Sequence, residues 1–126
     1  MRGTINDQSL IYLQIAQMLE DDILRDVYQE GDQVPSTNEL ARAFNINPAT
    51  AAKGINLLVA DGMLYKKRGL GMFVAEGAKA LALDKRRQAF YHTFLRPMAR
   101  EAKSLGLSDA DILTMVRKAM EEGEVE

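Results

Sequence analysis

Apolar residues recur every three or four positions along residues 9–27, and acidic residues lie between them. This spacing predicts an amphipathic helix that starts near Ser9 and buries one stripe of its surface. The pattern breaks at Glu30-Gly31-Asp32, and Pro35 keeps the residue before it out of the helical region, so a loop should follow. The predicted stripe consists of Ile11, Ile15, Met18, Leu19, Ile23 and Val27.

Two short helices are predicted next, because each has a recognisable start. Ser36 is followed three residues later by Glu39, the spacing of a capping box, and this helix should run to about Phe44. Asn47 followed by Pro48 is typical of an N-cap with proline at the first helical position, so a third helix should begin after a tight turn. Its predicted buried stripe and left-handed end are Ala51, Ile55, Leu58 and Gly62.

The remaining pattern predicts a hairpin and a helical tail. Short β-prone runs at 63–67 and 72–74 bracket Arg68-Gly69-Leu70-Gly71, as in a hairpin with a glycine-bearing tip. A helical register then continues from about residue 78 to 104, and Pro97 should kink or split it near Thr93. Ser108 and Asp111 have the spacing that caps a last helix.

These elements define the expected fold class and domains. We expect a mainly α-helical chain with one small β-hairpin, made of an N-terminal winged helix-turn-helix domain and a two-helix tail. The expected domains are residues 1–76, the winged helix-turn-helix domain, and residues 77–126, the helical tail. Two helices cannot close a core of their own, so the tail should pack on the first domain or on a second chain.

Composition narrows the chemistry that the chain can perform. It has no cysteine and a single histidine, His92, so we expect no metal site and no cofactor. Asp22 and Asp26 are spaced as a carboxylate pair, but a solvated helix face explains them better, and without a nucleophile–base set we expect no enzyme. Residues 1–6 carry no signal pattern and no apolar run could span a membrane, so we expect a cytoplasmic protein with no membrane partner.

The charge of the whole chain conceals a basic segment. The net charge is −2, yet residues 33–74 hold five basic and two acidic residues, a local charge of +3. The acidic residues are concentrated in the first helix and at the end of the chain. Because phosphate neutralisation supplies much of the affinity for nucleic acid, the basic segment is where DNA binding is expected.

Two short helices joined by a tight turn and followed by a basic hairpin form an arrangement that enters DNA grooves. We expect the third helix to read bases in the major groove and the start of the second helix to grip the backbone. The hairpin tip should contact phosphate or enter the minor groove. The candidate DNA-binding residues are Ser36, Thr37, Asn38, Asn47, Ala49, Thr50, Lys53, Lys66, Lys67, Arg68, Gly69 and Gly71.

A set of motifs lies along the first part of the chain, at residues 10–15, residues 31–36, Glu39-Leu40-Ala41, Thr50, Leu58, Gly62 and residues 69–74. Through these motifs, residues 9–75 resemble the N-terminal domain of GntR-type transcription regulators. The short tail resembles the YtrA-like subfamily, in which a small C-terminal region mediates dimerisation and members commonly repress transcription. Asn38 and Pro48 stand where many members carry DNA-contacting arginines. Asp26 stands where glycine is common, and we expect this difference to alter only how the first helix ends.

A two-fold dimer would place two recognition helices on an inverted-repeat operator, with half-site centres about 34 Å apart. The expected dimer seam is Phe90, Phe94, Met98, Ile112, Met115 and Val116. Three methionines of the tail, Met98, Met115 and Met120, could instead line a ligand cavity, and any small-molecule effector stays unidentified. Lys85-Arg86-Arg87 is equally compatible with an extra DNA contact and with exposed helix surface. The alternative function is a protein-interaction module that binds no DNA.

Overall fold

The computed structural model describes residues 8–125, and its elements match the expected fold class. Six α-helices and a two-stranded antiparallel hairpin form the described chain, and no described helix is both long and apolar enough to cross a membrane. The described chain separates into two compact units, the first ending at Lys85 and the second beginning at Arg86. The elements are α1 (Gln8–Leu24), α2 (Thr37–Phe44), α3 (Pro48–Ala60), β1 (Leu64–Lys67), β2 (Gly71–Val74), α4 (Ala78–Phe90), a π-helical turn (Tyr91–Leu95), α5 (Arg96–Ser104) and α6 (Asp109–Val125).

The core of the first unit forms where α1 packs on α3. Ile15, Leu19 and Ile23 of α1 are buried, as the apolar stripe predicted. Val27 was predicted in the same stripe, and that is wrong, because α1 ends at Leu24 and Val27 lies 58% exposed beyond it. The core is completed by Val34, Leu40, Ala41, Ala51, Ile55, Leu58, Met63, Leu64, Val74, Ala78 and Ala82.

Local capping signals fix the helix ends as predicted. The Ser36 amide donates to the Glu39 carboxylate at 2.8 Å, and the Glu39 amide donates to the Ser36 hydroxyl at 3.0 Å. Asn47 caps α3 with Pro48 in its first turn, and Gly62 follows in the left-handed region with φ +81°. The Asp111 carboxylate accepts a hydrogen bond from the Ser108 amide, so the predicted cap of α6 is confirmed.

The hairpin pairs Leu64 with Val74 and Lys67 with Gly71. Gln33 forms an isolated antiparallel bridge to Phe73, so the loop before α2 extends the pairing beside β2. Successive side chains of a strand point to opposite faces. Lys66 therefore shares the face of buried Leu64, whereas Lys67 lies on the other face.

The first half of α4 belongs to the first unit. Ala78 and Ala82 are fully buried, and the Lys79 ammonium lies 2.8 Å from the Asp26 carboxylate. Lys85 lies 3.1 Å from Glu20 and 3.2 Å from Asp61. Burial alone would lower the pKa of Lys85, but its hydrogen bonds to Glu20 and Asp61 prevail and raise it. The side chain of Lys85 therefore serves an ion-pair network that joins α1, α3 and α4.

The helix of the second unit splits near Thr93, as Pro97 predicted. Proline has no amide hydrogen to give to the Thr93 carbonyl and its ring crowds that carbonyl. The backbone accommodates this with a π-helical turn, closed by the Arg96 amide donating to the Tyr91 carbonyl. Among the described residues of this unit, Ala102 is the single buried hydrophobic residue.

Candidate nucleic-acid interface

Three elements of the first unit line one surface hollow. The start of α2, the C-terminal half of α3 and the hairpin each contribute side chains to it, whereas the residues at the start of α3 lie outside it. Its polar and basic lining is Gln33, Ser36, Thr37, Asn38, Asn56 and Lys66. The structure therefore brings together residues that were selected separately from the sequence. Asn56 was not among the predicted DNA-binding residues. It lies three positions after Lys53 on the same helix, a spacing at which two side chains are neighbours.

The N-terminus of α2 has amides that can donate hydrogen bonds to an anion. The capping box already uses the Ser36 and Glu39 amides. Hydrogen bonding with Ser36, mainly through its backbone and then through its side chain, holds the pKa of the Glu39 carboxyl below its ordinary value. The first-turn amides of Thr37 and Asn38 have no acceptor within the helix. A phosphate oxygen at this helix end would satisfy them and interact favourably with the helix dipole.

Exposed residues at the start of α3 include Asn47 and Ala49. The Asn47 side-chain oxygen accepts a hydrogen bond from the Ala49 amide at 2.8 Å. Its amide nitrogen is then the part that can donate to an acceptor on a base edge or a phosphate. The small side chain of Ala49 beside it leaves room for close approach.

Thr50 is 5% exposed, so the prediction that it lies away from the buried stripe is wrong. Thr50, Gly54 and Leu58 recur at the helical spacing of four, and all three are buried. Because α1 crosses α3 along this face, the buried stripe is wider than the three apolar residues that predicted it. Contact between Thr50 and DNA stays a prediction that concerns only its small exposed part.

The exposed Lys53 side chain rests on an aromatic ring from another helix. Its ammonium lies 4.2 Å from the centre of the Tyr12 ring. Tyr12 belongs to α1, 41 residues earlier in the chain, and no periodicity in the sequence indicates the pairing. This distance is well within the range of cation–π attraction.

The hairpin carries its basic residues on different faces. Lys66 lines the hollow, whereas the Lys67 ammonium lies 4.5 Å from the Phe73 ring and 5.9 Å from the Tyr65 ring. Arg68 is exposed beside Gly69, which has a positive φ of +78° and open space where a Cβ would lie. The three cations therefore do not form one patch on a single face.

Gln33, which was not among the predicted DNA-binding residues, braces the hairpin tip. Its side-chain amide donates to the Leu70 carbonyl at 2.7 Å. Gly71 has φ +123°, and a Cβ there would lie 2.6 Å from the Gln33 amide nitrogen. The glycine is thus required by its backbone conformation, and a Cβ there would displace the Gln33 side chain from this contact.

The predicted dimer residues lie in the second unit, and all of them except Ile112 are exposed. The Phe90 and Phe94 rings are tilted against each other with centres 5.4 Å apart, and both are exposed, as are Met98, Met115 and Val116. Ile112 is half-buried. The structure shows an apolar surface in this unit rather than a closed core.

Comparison with known proteins gives consistent matches. Residues 11–74 match the family described as "Bacterial regulatory proteins, gntR family". The chain is 46% identical over 65 residues to the "Probable fructoselysine utilization operon transcriptional repressor" of Escherichia coli strain K12, a match over 52% of the chain and 27% of that relative. The chain thus matches only about a quarter of the length of this relative.

Two further matches cover more of the other protein. The chain is 34% identical over 74 residues to the "HTH-type transcriptional repressor YtrA" of Bacillus subtilis strain 168, over 59% of the chain and 57% of the relative. It is 34% identical to a GntR-family transcriptional regulator of known crystal structure from Bacteroides thetaiotaomicron. That structure matches with a TM-score of 0.72 over 90% of this chain and 98% of the other.

Proposed function

Because the chain belongs to the gntR family of bacterial regulatory proteins, we propose that it is a cytoplasmic transcription repressor that binds an inverted-repeat operator as a homodimer. The resemblance to the YtrA-like group is confirmed by the match to YtrA itself. Family membership favours this function over a winged helix that only docks proteins. The observation that carries the proposal is the hollow shared by α2, α3 and the hairpin.

The start of α3 is the proposed base-reading element. Asn47, Ala49 and Lys53 are exposed there, and Asn56 continues the same surface one turn further. With asparagine at 38 and proline at 48 in place of arginines, discrimination depends on the Asn47 amide and the Lys53 ammonium rather than on bidentate arginine–guanine pairs. Thr50 contributes through its small exposed part.

Backbone contacts are assigned to the α2 start and to the hairpin. Ser36, Thr37 and Asn38 are placed to bind a phosphate through the helix-terminal amides and their own polar side chains. Lys66, Lys67 and Arg68 supply positive charge, and Gly69 and Gly71 keep side-chain bulk off the tip. These contacts set affinity on any sequence and carry no base information.

Dimerisation is assigned to the second unit. Its exposed apolar residues lack a core to enter, and a second copy that buried them would remove this surface from water. The seam is predicted to include Phe90, Phe94, Met98, Ile112, Met115 and Val116. Two copies then present two recognition helices to a two-fold symmetric site.

The electrostatic part of the proposed DNA binding is tested by anisotropy titrations at several salt concentrations. They use two DNA duplexes, one selected from fragments of the source genome and one of random sequence. If each protomer neutralises about three phosphates, the slope of log affinity against log salt should be about −5 for the dimer. A slope near zero on both duplexes would contradict DNA binding through this surface.

The division of roles is tested with two sets of variants. Replacing Lys53 by Met should reduce the preference for the selected duplex over the random one, because it removes a base contact. Replacing Lys66, Lys67 and Arg68 together by Ala should weaken binding to both duplexes alike. Lys79→Ala is the matched control, since Lys79 is paired with Asp26 outside the proposed interface. Equal losses of preference in both sets would mean that the roles are wrongly assigned.

A further inference from the structure

The lysines of the first unit differ in the chemistry of their partners. Lys79 and Lys85 are paired with carboxylates, at distances of 2.8 to 3.2 Å. Lys53 and Lys67, both in the proposed DNA interface, lie over aromatic rings instead. A carboxylate would neutralise a lysine and compete with phosphate, whereas a ring orients the ammonium and leaves its charge intact.

The contact between Lys53 and Tyr12 is fixed by the close crossing of α1 and α3. A Cβ built on Gly54 would lie 2.8 Å from the Tyr12 carbonyl oxygen and 3.0 Å from the Ile15 side chain. The glycine next to Lys53 therefore allows the backbone of α1 to approach α3 at this point. As a result the half-buried Tyr12 ring lies beside the exposed lysine.

A held lysine loses less conformational freedom when it binds. Lysine has a long flexible side chain whose rotamers must be restricted before its ammonium can contact one base edge. The ring lies on one side of the ammonium, and the three N–H groups stay available as donors. Preorganisation of this kind increases affinity because part of the ordering cost is met before association.

We infer that Tyr12 is a positioning residue for operator discrimination, whose ring holds the Lys53 ammonium at the base-reading start of α3. The inference rests on the proposed function, since it needs Lys53 to contact bases. Tyr12 acts through Lys53 and makes no base contact of its own.

The first measurement uses the free protein. The ring current of Tyr12 should shift the side-chain methylene protons nearest the Lys53 ammonium upfield in its NMR spectrum. The shift should persist in Tyr12→Phe, which keeps the ring, and disappear in Tyr12→Leu. Lysine methylene protons at their random-coil positions in the wild-type protein would overturn the inference, without any need for DNA or for a stable leucine variant.

The second measurement is a double-mutant cycle on the ratio of the Kd for the random duplex to that for the selected duplex. Tyr12→Leu should lower this ratio about threefold per half-site, hence about tenfold for a dimer with two lysines, the size expected of an exposed cation–π contact. Tyr12→Phe should leave it unchanged. Tyr12→Leu should have no further effect in a Lys53→Met background. Gln17→Leu, an exposed position of the same helix, is the matched control and should leave the ratio unchanged.

The outcomes separate this inference from the proposed function. If Tyr12→Leu lowers the ratio equally with and without Lys53, or if Tyr12→Phe is as harmful as Tyr12→Leu, Tyr12 does not act by holding Lys53. If Lys53→Met lowers the ratio and Tyr12→Leu does not, the proposed function stands and the inference fails. If Lys53→Met itself has no effect, the base-reading role fails and this inference with it.

Discussion

At the scale of single residues, the direction of a side chain decides what its charge can do. The sequence groups Lys66, Lys67 and Arg68 as one basic tip, because they are consecutive. The alternation of a β-strand separates the first two, so that Lys66 faces the hollow and Lys67 lies over Phe73. The joint replacement of the three therefore measures their summed effect on DNA binding, and single substitutions are needed to separate the contribution of each cation.

Glu39 provides a pH-dependent prediction at the same scale. Hydrogen bonds from Ser36 lower its pKa in the folded protein. A carboxyl whose folded pKa is lowered stabilises the fold above its unfolded pKa, and this contribution is lost as the pH falls through the folded pKa. Urea unfolding from pH 6 to pH 3 should show stability falling with pH, and Glu39→Gln should make that fall shallower. Glu76→Gln, which removes another exposed carboxyl, is the control, and an equal change in both variants would contradict the assignment.

The residues of the candidate interface were predictable where the signal was local. Ser36 and Asn47 were identified because a helix cap depends on residues only a few positions apart. The brace from Gln33 to the Leu70 carbonyl and the ring beneath Lys53 join residues about 40 positions apart. Such contacts depend on how elements pack, and no periodicity encodes them. Thr50 was misplaced for the same reason, because packing against other elements makes the buried stripe wider than its apolar residues.

At the scale of elements, helix ends were predicted more successfully than the packing of helices. Pro97 predicted the break near Thr93, since the missing amide hydrogen is a property of one residue. The composition changes at Gly77, and the sequence therefore divides the chain after residue 76. In the structure the first compact unit extends to Lys85, because α4 is held by buried Ala78 and Ala82 and by ion pairs to α1 and α3. The boundary after residue 76, between a DNA-binding domain and a dimerisation tail, stays a prediction.

Gly54 carries the element-scale prediction. A methyl group at this position would meet the Tyr12 carbonyl oxygen, which is backbone and cannot rotate away. Gly54→Ala should lower the free energy of unfolding by about 1–3 kcal/mol, as overpacking does, despite the better helix propensity of alanine. Denaturant unfolding measures the change. The control is Gly123→Ala in α6, where a Cβ would meet nothing within 4 Å, and which should not destabilise the protein.

At the scale of the whole molecule, the two units differ in their charge and in their exposed apolar surface. The chain is acidic overall, but residues 33–74 carry a local charge of +3, and one of their two acidic residues, Asp61, is paired with Lys85. Net charge therefore understates the positive potential of the proposed interface. In the second unit, large apolar residues stay exposed over both α5 and α6. The first unit thus has its own core, whereas the second has an exposed apolar surface, which the proposed dimer would cover.

The dimer proposal gives a prediction in which two matched substitutions should behave differently. Val116 is 40% exposed in α6, and Val27 is 58% exposed in the first unit. Val116→Lys places a charge in the proposed seam, where burial without a partner is costly, so the dimer should dissociate. Its affinity for a full inverted repeat should then fall toward that for a single half-site, because linked binding is lost. Val27→Lys adds the same charge to a surface outside the seam. It should leave the mass of the assembly and its affinity for DNA unchanged. Sedimentation equilibrium and anisotropy titrations on full and half sites measure both, and a Val116→Lys protein that stays dimeric with full affinity would place the seam elsewhere.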